Sequence, residues 1–401
     1  MLSVLLAALI GTAAASDAVT PSDRTYALSL ASRYDLDTLA TAGPTLHRMG
    51  MDAYGYGLRP RLSPGLDSFL GTVWSVAWTY TTVLWPHEFG HWSRAEQLDS
   101  KFIFHNLNPI LPHTTVEMPD SATFADSALL SVGGFEVNAM VARQAELDFY
   151  ADGGAWSDEL GHALVNEMFF PIYAGIFPAK AQEAETWIKT RGDPVHVVLP
   201  VFQRHTGRDP IQANGEVDPE LVRLYRESVA LSLLWSAIDP GTVQRGIAFM
   251  EGPFDHREAW MPVDGERLGW TWGTQFQPTP LGYALALSQY LFVADRMFVV
   301  GAHYGRPMMN NGLRLAAPDL LRTSRLGVGF VLDGWGQDEY GLGLSAESSL
   351  SATLSEHLRL TAAAGYKTEG YLLGRRIEAG PHVRAGLEYR FAHTEPQRAG
   401  R

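Results

Sequence analysis

Cysteine is absent from all 401 positions, which excludes disulfides, thiolate zinc sites, iron–sulfur clusters and thiol catalysis together. Any metal in this chain is held by His, Asp or Glu. Positive charge is also scarce: 31 Lys and Arg stand against 44 Asp and Glu, for a net charge of -13, and no basic cluster occurs. The counterion release that drives nucleic-acid binding therefore has no source, and a nucleic-acid partner is not expected. Charged residues make up only 19% of the chain and hydrophobic ones 46%, a composition that folds and can supply extensive buried or lipid-facing surface. There is no Walker sequence, no Gly-x-Ser-x-Gly elbow and no dinucleotide fingerprint.

What is present begins with an uncharged apolar run from Leu2 to Ala15, ending in Ala13-Ala14-Ala15-Ser16. It reads as a signal peptide over 1–16, although no Lys or Arg precedes it, and a buried first helix is the other reading. Export is expected, to the periplasm or outer membrane of a Gram-negative cell, or otherwise to a secreted or membrane-associated state. At about 150 residues per domain the chain has room for two or three. Residues 17–64, with turn signals such as Tyr54-Gly55-Tyr56-Gly57, form a lead-in; 65–260 is a mainly helical domain; 261–391 is a β domain; 392–401 is a tail.

The helical patterns lie at Asp126–Tyr150, Asp158–Phe177 and Pro219–Ile238. An uncharged stretch from Phe69 to Trp85 is expected to be a buried helix in preference to a spanning one, because Thr and Ser dilute it. Pro86 lacks an N–H, so a new helix is expected to start there. After residue 260 the period changes to two, most clearly where Val383, Ala385, Leu387, Tyr389 and Phe391 alternate with Arg384, Gly386, Glu388 and Arg390. Six to eight such strands would make a soluble antiparallel sheet on the helices or a small barrel, and this last strand resembles the closing strand of bacterial outer-membrane barrels. The expected fold class is α+β, a helical region followed by an antiparallel β region.

One segment carries specific chemistry: His87-Glu88-Phe89-Gly90-His91. Four residues turn a helix by about 400°, so both imidazoles leave one face and one ion can bind both. Glu88 lies about 100° around the helix, suited to reach a water beside the metal rather than the metal itself. The pentapeptide resembles the HExxH motif of zincin metallopeptidases, which implies zinc as cofactor, His87 and His91 as ligands, and Glu88 as general base. The positions where metzincins carry Gly and a third His are Arg94 and Gln97 here, so the gluzincin type fits better.

That type takes a Glu from a later helix, and Glu136 is the best candidate, in an apolar stretch where an unpaired carboxylate is costly. Two glycines before Phe135 would let another backbone approach. Position 140 is Met, where the family has Asp. Asn138 could orient a ligand or substrate, His105 lies beside the motif as a substrate contact, and Glu146 or Asp148 could replace Glu136. Site-2 proteases combine HExxH with a later Leu-Asp-Gly, but Leu332-Asp333-Gly334 sits in the β region and reads as a hairpin turn. The expected function is zinc-dependent hydrolysis of protein or peptide by metal-activated water. A non-enzymatic outer-membrane β protein and a membrane-embedded metalloprotease are the alternatives, so membrane association stays open.

Overall fold

The structure is a computed structural model that describes residues 24–106, 113–176, 193–263, 268–293, 296–323 and 325–391. The signal-like segment 1–16 and the tail 392–401 lie outside the described residues. After β1 (Arg24–Ala31) come α1 (Asp37–Asp52), α2 (Pro64–Gln97), a hairpin of β2 (Lys101–Asn106) and β3 (His113–Glu117), and α3 (Phe124–Ala151). Then follow β4 (Gly154–Trp156), α4 (Ser157–Glu167), α5 (Phe169–Ile176), α6 (Asp193–Thr206), α7 (Pro219–Ala237), α8 (Pro240–Glu251) and β5 (His256–Glu258). The fold class is α+β, with helices towards the N-terminus and strands towards the C-terminus.

Helix starts follow local chemistry. Pro64, Pro219 and Pro240 open α2, α7 and α8, where a missing N–H costs nothing. Asp218 and Asp239 cap the last two, and Thr123 forms a capping box with Asp126 at α3. α2 runs unbroken through Pro86, against the expectation of a new helix there. Tertiary packing compensates for the lost bond: the Pro86 ring lies against Gly43 of α1, and the Thr82 carbonyl faces the His162 imidazole. No described helix is long and apolar enough to cross a membrane. The 69–85 stretch is only partly buried. Gly71, Ser75 and Thr79 face inward while Phe69 and Val73 are exposed.

α2 and α3 cross in backbone contact. A Cβ on Gly90 would stand 2.4 Å from the Gly133 carbonyl oxygen, and one on Gly133 would stand 2.6 Å from that of Gly90. Gly133 thus admits the neighbouring backbone, and Gly134 makes room for the His87 ring. Around the crossing, Val83, Val132, Phe135, Phe169, Phe276 and Tyr283 build the core that joins both helices to α5 and the sheet.

The sheet consists of β6 (Leu268–Thr279), β7 (Gly282–Val293), β8 (Arg296–Pro307), β9 (Met309–Arg322), β10 (Leu326–Gln337), β11 (Gly341–Thr353), β12 (Leu358–Lys367) and β13 (Gly380–Phe391), all antiparallel to their neighbours. β1 completes it as the ninth strand, pairing with β13 from Arg24↔Phe391 to Ala31↔Arg384. The segment read as a lead-in therefore supplies an edge of the β region. α1 packs along β1, and α3 and α7 pack along β6. A cavity of about 740 Å³ separates α3 from one face of the sheet. Leu332-Asp333-Gly334 is not a turn but mid-strand in β10, where Asp333 meets Arg314 of β9 at 3.1 Å.

Candidate metal centre

His87 and His91 are buried on one face of α2, with their Nε2 atoms 3.2 Å apart. Asp193, in the first turn of α6, completes a triangle: its Oδ2 lies 3.4 Å from His87 Nε2 and 3.6 Å from His91 Nε2. Donors about 2.0–2.1 Å from a tetrahedral zinc stand roughly 3.3 Å from one another. The three distances bracket that value, so the residues present fit the metal.

The other ring nitrogens fix the tautomers. His91 Nδ1 stands 2.8 Å from the Leu130 carbonyl, which can only accept, so Nδ1 carries the hydrogen. His87 Nδ1 stands 2.7 Å from Asn138 Oδ1. That amide is oriented by its neighbours: Asn138 Nδ2 donates to Asn166 Oδ1, and Asn166 Nδ2 donates to the His162 carbonyl. Both Nε2 lone pairs are thereby aimed at the carboxylate, an arrangement that calls for a cation among them.

Without metal, a proton takes that place. Burial disfavours a charged His91, but the Asp193 carboxylate beside it overrides this and raises it to about 9. Burial would likewise raise Asp193, yet the His91 and His87 imidazoles hold it well below the usual carboxylate range. The His87 ring is clamped between Phe135 and Phe169, with centroids 4.9 and 4.7 Å away, and lies over Gly134, where a Cβ would come within 2.5 Å of it.

Glu88 is partly exposed, and the Thr114 hydroxyl on β3 donates to its Oε2. Tyr173 of α5 lies within the field of both Asp193 and Glu88. A triad that could hold a metal, a carboxylate held by a hydroxyl, and a phenol thus share one end of the α2–α3 crossing.

Glu136 is not part of the triad. Its two oxygens accept from Arg94 Nε and Nη2 at 2.7 and 2.9 Å, and Oε1 also faces the Gly374 amide at 3.2 Å. The apolar surroundings did demand a partner for this carboxylate; that partner is a buried guanidinium. Asn138, expected to orient a ligand or substrate, is buried against His87 and lies on the ligand side of that choice. His105 lies in β2, and its side chain is outside the described residues. Glu146 packs against Gly273 of β6, and Asp148 accepts from Gln144 at 2.8 Å. Asp193 was not anticipated. It stands 106 positions beyond His87, and its only local signal is an Asp-Pro pair opening a helix. No protein-family model, curated protein or solved structure matches the chain.

Proposed function

We propose that the chain is a zinc-dependent hydrolase acting on protein or peptide, with His87, His91 and Asp193 holding the metal and Glu88 as general base. The observation that carries this is the convergence of two Nε2 lone pairs and one carboxylate oxygen at tetrahedral spacing, with both Nδ1 atoms tied to acceptors. When bound, zinc supplies a Lewis acid that acidifies water and polarises a carbonyl. Glu88 accepts the proton on its carboxylate and returns it to the leaving amine as the C–N bond breaks. Thr114 holds that carboxylate in place, and Asn138 and Leu130 hold the two imidazoles. Export to the periplasm or outer membrane belongs to the same proposal.

Elemental analysis tests it. Wild-type protein is expected to carry about one zinc per chain, lost in His87→Ala, His91→Ala and Asp193→Asn and retained in Glu136→Gln. Peptide hydrolysis is expected to fall by about 10²–10⁴ in Glu88→Gln with zinc retained. A folded wild type that takes up no zinc on reconstitution overturns the assignment.

A further inference from the structure

On a soluble antiparallel sheet the apolar side chains of each strand turn to the core and the polar ones to water. From β11 to β13 this sheet is the other way out, whereas the inner face of β7 to β10 packs Tyr290, Met297, Val299 and Ala316 against the helices. In β13, Val383, Ala385, Leu387 and Tyr389 are exposed, while His382, Arg384, Glu388 and Arg390 point inward. The neighbouring strands repeat the pattern, with Leu28, Leu315, Leu344 and Leu360 exposed. On the inner face Glu347 is buried and accepts from Arg384 at 2.7 Å and Arg375 at 2.9 Å, and Arg384 also reaches Asp37. Charged side chains of β11 to β13 line one part of the cavity of about 740 Å³, and Phe292, Met297, Val299 and Ala316 pack towards Phe149 of α3 in the other part.

The outer surface is also ordered by depth. Exposed tyrosines stand near both strand ends, Tyr304 and Tyr366 at one and Tyr389 at the other, with aliphatic residues between. Tyr366 is level with Pro381 on β13, so the aromatic rows are separated by the strand from 381 to 389. That span is roughly 26 Å of strand at about 3.3 Å per residue, or about 18–21 Å of height at the tilt of about 35–45° usual in such strands, most of the band of about 25 Å that faces lipid. Apolar side chains are exposed on the helices too: Leu234 and Ile238 at the end of α7, Ile247 of α8, and Phe69 and Val73 of α2.

We propose that the outer face of the nine-stranded sheet is embedded in a lipid bilayer, with the inner face and α3 enclosing a cavity that is charged beside β11 to β13 and the candidate metal centre at one strand end. The placement of that centre follows from α6, whose Val201 packs with Leu281, Met308 and Tyr371 at the turns between strands. A second copy of the chain covers one flat patch of about 800 Å²; exposed apolar side chains recur on β1 and on β7 to β13, while β6 is largely buried beneath helices, and a bilayer covers so wide a surface. The inference stands apart from the zinc reading and survives its failure.

The absence of cysteine makes the test direct. Single cysteines at positions Leu360, Thr361, Ala362, Ala363 and Ala364 of β12, each carrying a nitroxide, are reconstituted in dimyristoylphosphatidylcholine vesicles. Collisions with oxygen, which concentrates in lipid, are compared with collisions with a water-soluble nickel chelate. The oxygen-to-nickel ratio is expected to alternate with period two, at least several-fold higher at 360, 362 and 364 than at 361, 363 and a turn control at Leu354. Uniform nickel access at the outward positions overturns the proposal. Wild-type protein is expected to float with the vesicles after a carbonate wash. A monodisperse monomer or discrete dimer in detergent-free buffer that does not float overturns the proposal too, the dimer identifying a second copy as the cover.

Discussion

The Asn138 amide does for His87 what a carboxylate does in many metal sites: it accepts from Nδ1 and leaves Nε2 as a lone pair. Its own direction depends on Asn166 and the His162 carbonyl, so the tautomer of His87 is set three hydrogen bonds away. Asn138→Ala is expected to weaken zinc binding by about 10–100-fold while leaving the stoichiometry at saturation unchanged, as measured by competition with a chelator. A second residue-scale expectation concerns pH. His162 and His47 are stacked at 4.5 Å, and burial lowers His162 to about 3 and His47 well below its ordinary value. The unfolded chain binds protons below about pH 6.5 that the folded chain refuses until about 3, so stability falls as pH drops through that window. Denaturant titrations should show a loss of roughly 2–3 kcal/mol from His162 between pH 7 and 4.5, and His162→Gln should remove that share while leaving the share of His47.

At the scale of elements, the α2–α3 crossing separates two effects that lie one residue apart. Gly133→Ala pushes backbone against backbone and is expected to lower stability by about 1–3 kcal/mol. Gly134→Ala instead drives a methyl into the His87 ring, which Asn138 and two phenylalanines hold in place. Its zinc affinity should fall at least about tenfold, with a smaller change in the unfolding midpoint than Gly133→Ala produces; equal effects on both readouts in both variants would refute this division. The crossing also shows what could be read in advance. The spacing of His87, Glu88 and His91 is local to one helix, and the paired glycines announce a close backbone. Glu136 and Asp193 differ in nothing that their neighbours in the chain reveal. Whether a buried carboxylate meets a metal or Arg94 is decided by packing across 42 positions.

For the whole molecule, alternation in the strands gave the period but not its sense, since a pattern of period two is the same whichever face meets water. β13 was legible because its faces differ in polarity, whereas β10 was obscured by Leu332-Asp333-Gly334, which reads as a turn. β1 was not legible, because its eight residues pair at the far end of the chain, and neither was β9, where Pro318 and a register shift opposite Val328 and Phe330 blur the alternation. The sense of the alternation has an energetic consequence that a single substitution can measure. Ala362 is an exposed residue midway along β12, while Leu354 is exposed in the turn before that strand. On a water-facing surface, arginine at either position changes stability by at most about 0.5 kcal/mol. In a bilayer, Ala362→Arg places a guanidinium near the midplane and should cost about 2–4 kcal/mol, whereas Leu354→Arg lies near the interface and should cost about 0–1. Reversible unfolding from vesicles gives both numbers. A difference of about 2 kcal/mol between them places β12 across the lipid, and equal small costs would return this face to water.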